Sequence, residues 1–235
     1  MAKPKLSAGQ KRLETDLWII LLCTLAALGA YMVLQDWVTA FMEDKSTTIL
    51  LRVVVPAMFQ FGIAGLGISV VSIIRKESFL SFGLRKKGTL ASVVLCILCV
   101  VPYAIFKVET GAADRYLPFQ SVFTTKEVLA SGFPTNLVGM ILTALAWGFF
   151  EGFNYVVISD KINKRYPGKN KWLNWGAIVC AVLCILIHGA IGVTVEGTIE
   201  MLTVMIIIYG MLVAKEFTGN AWGCVFLFIF LWNAF

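Results

Sequence analysis

Residues 17–38 read LWIILLCTLAALGAYMVLQDWV, with no charged side chain between Leu17 and Leu34. An unbroken apolar run near 20 residues is what a helix needs to cross a hydrocarbon core of about 30 Å. The run does not alternate with period two, as a barrel strand would, so it reads as a helix whose backbone groups are paired internally. Lys3, Lys5, Lys11 and Arg12 precede it, the flank of a secretory signal as well as of an anchor. It continues past the small residues Ala27, Gly29 and Ala30 through Tyr31, Met32, Val33 and Leu34, and is expected to be a retained anchor. Outward from this stretch, similar runs place spans at 17–39, 48–74, 89–108, 136–158, 173–194, 198–214 and 221–235. The expected fold class is all-α, a polytopic membrane helix bundle of about seven transmembrane helices in one domain, 1–235. Within it, 1–80 supplies N-terminal helices and 81–235 a core. Pro4, Pro118, Pro134, Pro167 and Gly168 lie outside the spans, whereas Pro56 and Pro102 lie inside and are expected to kink their helices.

Composition agrees. The chain is 59% hydrophobic and 14% charged, whereas a soluble domain is nearer half apolar and a quarter charged. The net charge of +6 sits in short loops beside the apolar runs, so it reports topology and no nucleic-acid partner is expected. One set of loops carries Lys11 and Arg12, then Arg75, Lys76, Arg85, Lys86 and Lys87, then Lys161, Lys164, Arg165, Lys169 and Lys171. The other carries Glu43, Asp44 and Lys45, then Glu109, Asp114, Arg115, Lys126 and Glu127, then Glu196 and Glu200. The positive-inside rule predicts a cytoplasmic N-terminus and a multi-pass protein of the cell membrane. All 6 cysteines lie in apolar runs and read as reduced packing residues.

Ionisable side chains deep in lipid are costly, so each is a functional candidate. Glu151 lies in the run of span four and His188, the single histidine, in span five; Asn233 closes span seven. On a helix Glu151 shares its face with Gly148, Asn154 and Tyr155, and a carboxylate there is a candidate general base. The bland readings are an interhelical hydrogen bond for His188 and a structural cap for Asn233. Arg52 and Lys107, near span ends, are expected to snorkel, and Gln60 to make an interhelical contact. Cys180, Cys184 and His188 share one face and with Glu151 could hold a metal, but the spacing suits a small-residue packing seam, and neither metal nor cofactor is expected. No phosphate-binding glycine loop and no G-x-S-x-G elbow occurs. By the span ends, Glu151 and His188 differ in depth by about 10 Å.

Four elements carry a family resemblance. The first is Glu151-Gly152-Phe153-Asn154-Tyr155-Val156, the second Cys184-Ile185-Leu186-Ile187-His188. The third pairs Thr218-Gly219-Asn220-Ala221-Trp222 with Ile229 to Trp232-Asn233-Ala234, and Gly83-Leu84-Arg85-Lys86 precedes them. Over roughly 80–235 the chain thus resembles the CAAX-protease and bacteriocin-processing family of glutamic intramembrane proteases. Their signatures are E-E-x-x-x-R, F-x-x-x-H and H-x-x-x-N on three membrane helices. Gly152, Val156, Cys184 and Ile229 depart from that pattern. The resemblance implies hydrolysis of a peptide bond in a membrane-associated peptide or protein. Glu151 would be the general base, His188 would position or polarise the water, and Asn233 would donate to the oxyanion. Asn154 or Tyr155 would compensate for the missing polar groups. The alternatives are a catalytically degenerate scaffold or bacteriocin-immunity-type protein with the same fold, and a small transporter. The transporter would need polar groups along a path across the membrane, and spans one to three hold few.

Overall fold

The computed structural model describes residues 6–112, 115–189 and 191–234. Lys3, Pro4, Lys5, Asp114 and Phe235 lie outside the described residues. Among the described residues the chain is all-α, with eight helices: α1 (Ala8–Glu43), α2 (Ile49–Arg75), α3 (Thr89–Glu109), α4 (Thr125–Ala130), α5 (Thr135–Arg165), α6 (Trp175–His188), α7 (Val195–Thr218) and α8 (Trp222–Trp232). Five of them, α1, α2, α3, α5 and α7, are long and apolar enough to cross a membrane.

The start of α1 is a capping box: Ser7 Oγ accepts from Gln10 N–H while Gln10 Oε1 accepts from Ser7 N–H. Its 36 residues span about 54 Å, longer than the bilayer needs. It packs along α2 and α5, and at Gly67 the backbones come so close that an added Cβ would sit 2.8 Å from Ile20 Cα. The buried core lies where α3, α5, α6, α7 and α8 meet, around Phe153, Val156, Cys180, Ile208, Met211 and Phe228.

Polar links tie the two ends of the bundle. At one end Asp16 pairs with Arg75 and Lys161, Lys161 also with Glu77, and Arg165 with Glu14, while Lys215 of α7 reaches Asp160. At the other, Glu127 of α4 takes both guanidinium nitrogens of Arg52 at 2.5 Å and also Lys45, while Lys107 pairs with Glu200 at 2.7 Å. Arg52 therefore does not snorkel: it is 1% exposed, and its Nε donates to the Met42 carbonyl. Lys107 likewise ends in an ion pair.

Two helices are shorter than the runs that predict them. α6 stops at His188 rather than continuing to 194, because Gly189 takes φ +62° and closes the helix, and 14 residues give only about 21 Å. α8 is about 16 Å long, with Asn233 and Ala234 beyond its end. Non-helical backbone at such depth is tolerated where protein or a cavity surrounds it. Here the loop before α4 does so: Leu117 N–H donates to Ala234 O and Ser121 N–H to Asn233 O.

Candidate functional site

Three helices widen into π turns at one level of the bundle: Gly62–Leu66 in α2, Ala144–Phe150 in α5 and Phe228–Trp232 in α8. The turn of α5 packs against both others. A π turn frees a carbonyl and rotates the residues after it, and such turns concentrate at functional sites. In α2 the Thr24 hydroxyl of α1 donates to the Ile63 carbonyl at 2.8 Å. Glu151 follows the α5 turn and Asn233 the α8 turn, so both are re-aimed by it.

Glu151 is buried near the middle of α5. Gln60 of α2 donates Nε2–H to Glu151 Oε2 at 2.7 Å. His188 Nε2 lies 3.8 Å from Oε1. The Trp232 side chain is a further polar neighbour of the carboxylate, and its ring stands edge-on to His188 with centroids 6.0 Å apart. The depth mismatch between Glu151 and His188 is thus overturned. α6 is about two-thirds of a span long, and its last residue comes level with the centre of α5.

Asn233 joins them on the wall of one chamber of about 320 Å³, with Gln60, Ser121 and Thr124. Ser121 Oγ donates to Asn233 Oδ1 at 2.9 Å, and Asn233 Nδ2 is buried without an acceptor among the described residues. A second space of about 480 Å³ meets the chamber at Tyr31, Gln60, Glu151 and His188 and runs between α1 and the α5–α6 pair. Away from that junction its walls are apolar apart from Asn154, Tyr155 and Thr24. Asn154 and Tyr155 line this groove and not the polar chamber. Tyr155 is buried against Phe228, ring centroids 5.7 Å apart.

Of the residues singled out in the sequence, Glu151, His188 and Asn233 converge, and Asn154 and Tyr155 stand beside them. Gln60 belongs to the site as well as linking α2 to α5; its polarity in an apolar run was the available signal. Trp232 is marked only by adjoining Asn233. Ser121 and Thr124 come from a loop with no signal at all. Among the described residues no three His, Cys, Asp or Glu side chains gather as metal ligands. Cys180 instead donates its S–H to the Tyr155 carbonyl at 3.6 Å.

The positions that depart from the family signatures are packing positions. A Cβ on Gly152 already meets Phe228 Cδ2 at 2.9 Å and Cys224 O at 3.0 Å, so a second glutamate there would displace α8. Val156 and Cys184 are fully buried, and Ile229 fills the notch over Gly148. Two separate elements of the resemblance dock on each other: Gly83 O accepts from Ala221 N–H at 2.9 Å, and Asn220 Nδ2 donates to the carbonyls of Arg85 and Lys87 at 2.5 and 3.0 Å. This joint seats the first turn of α8 and so sets where Trp232 and Asn233 end up. Comparison with protein-family models, with curated proteins and with solved structures finds no match.

Proposed function

We propose that the chain is an intramembrane glutamic-type peptidase of the CAAX-protease and bacteriocin-processing family. It sits in the cell membrane with the basic end of the bundle facing the cytoplasm. In this reading the five long helices together with the shorter α6 and α8 make up the seven passes. The supporting observation is that Glu151, His188 and the unpaired Nδ2 of Asn233 open onto one polar chamber inside an otherwise apolar bundle.

In this reading Gln60 holds Oε2 and leaves Oε1 towards His188. A water between Oε1 and His188 gives its proton to Glu151 as its oxygen attacks the peptide carbonyl. The Asn233 amide N–H donates to the oxyanion as charge develops there. The C–N bond then breaks and Glu151 returns the proton to the leaving nitrogen.

The packing roles of Gly152, Val156 and Ile229 favour a second reading, a non-catalytic membrane scaffold or immunity-type protein that keeps the chamber for binding. One experiment separates the two. The purified protein and its Glu151→Gln and His188→Ala variants are offered a library of membrane-anchored peptides. Cleavage by the parent that falls by about 10²–10⁴-fold in Glu151→Gln supports the peptidase. No cleavage by the folded parent sinks it in favour of the scaffold.

A further inference from the structure

The space between α1 and the α5–α6 pair runs along α5 from Glu151 to Ile162, about 16 Å by helix rise. Its floor is closed next door, where Asp16 and Lys161, neighbours of the lining residues Leu17 and Ile162, pair at 2.9 Å. Its flank is open to the lipid side: Leu25 on α1 and Val179 and Ile187 on α6 are exposed. One polar group is set into its wall without a protein partner. The Asn154 side chain makes no hydrogen bond among the described residues, and its Oδ1 is buried. A hydrocarbon chain filling the groove would leave that amide unpaired, which is costly in a dry site, whereas a polypeptide brings backbone N–H and C=O groups that match it.

We infer that this groove binds an apolar, extended stretch of a membrane polypeptide, with the Asn154 amide pairing its backbone and the Glu151–His188 end receiving the bond beside it. The groove length accepts about five extended residues. Asn154 is then a specificity residue that distinguishes peptide from lipid. This inference rests on the peptidase reading for what happens at the Glu151 end, but not for the binding itself.

The test uses the full chain carrying Glu151→Gln, reconstituted in phosphatidylcholine vesicles, with the photo-crosslinker p-benzoylphenylalanine at Val179. A second protein carries it at Ile141, which is exposed on α5 outside the groove. The probes are a radiolabelled leucine- and alanine-rich transmembrane peptide and, separately, phosphatidylcholine labelled in its acyl chains. The expected result is peptide capture at Val179 well above Ile141. Asn154→Leu should lower that capture about fivefold, the worth of one net hydrogen bond. Leu183→Trp, which fills the groove from its wall and leaves Asn154 in place, should abolish it. Equal peptide capture at both positions, capture indifferent to both substitutions, or labelling at Val179 by acyl chains alone overturns the inference. Cleavage by the parent is scored in the same vesicles. Capture without cleavage removes the peptidase and leaves the groove; cleavage without groove capture removes the groove and leaves the peptidase.

Discussion

Two clusters of buried ionisable groups stand on α5, one around Lys161 and one around Glu151, about 15 Å apart along the helix. In the first, Asp16 has both oxygens engaged, Oδ1 by Arg75 Nε at 2.6 Å and Oδ2 by Lys161 Nζ at 2.9 Å, and Lys161 also reaches Glu77 at 3.0 Å. In the second, the Glu151 carboxylate takes a short hydrogen bond from Gln60 and has the Trp232 side chain as a further polar neighbour. Its imidazole neighbour stands off at 3.8 Å, and the Asn233 and Asn154 amides each keep a buried atom unpaired. The first cluster lines neither of the two spaces, and the second lies at their junction. A closed, satisfied network rigidifies a fold, whereas open capacity beside a cavity is what a site needs to take up a reacting molecule. Two clusters of ionisable groups on one helix thus differ in how completely their neighbours satisfy them.

The largest expected contrast between the clusters is in stability. Lys161→Met leaves Asp16 buried and half-paired and should cost about 3–5 kcal/mol. Glu151→Gln should change stability by no more than about 1 kcal/mol, since it retains a partner for Gln60. Unfolding in detergent measures both, and equal losses would erase the distinction. The double replacement Asp16→Leu with Lys161→Met should recover most of the single loss. Next in size is the effect of Asn233→Ala on cleavage, a fall of about 100-fold with binding of substrate little altered. A rise in KM with kcat unchanged would instead make Asn233 a binding group.

The smallest effect concerns the loop that roofs the chamber. Its anchor, Glu127, is drawn down to about 2 from the usual carboxylate value of 4.5 by hydrogen bonds from Arg52 and then Lys45. A depressed carboxylate contributes stability above its unfolded value and loses it as pH falls through the folded one. The loop should therefore stay latched from pH 8 to 5 and loosen between about pH 4.5 and 2. Hydrogen exchange over 117–130 reads this directly; loosening already between pH 7 and 5 would show that another group holds the roof.

Much of the architecture was legible because lipid simplifies the code. Each of the seven apolar runs coincides with a helix, and the loop charges sort to the two ends at which the ion pairs form. The misreadings share one cause. Hydropathy reports that a stretch is buried from water, not whether helix continues through it, so the run 173–194 gave no sign that Gly189 ends α6. Arg52 looked like a snorkelling residue because its partner Glu127 is 75 positions away. The short α4 was hidden in a polar connection.

By itself the sequence determined that the chain is an apolar helical protein, roughly where its seven apolar helices lie, and that Glu151, His188 and Asn233 are exceptional polar residues of its apolar runs. These follow from composition and local order, because an apolar run of sufficient length has few other folded states in lipid. Only the tertiary structure decided that α6 and α8 stop short so that His188 and Asn233 reach the level of Glu151, that Gln60 binds the carboxylate, and that Asn154 looks into a groove. Those are meetings between helices distant in sequence, set by glycine notches, π turns and the docking of α8 on the Gly83 loop.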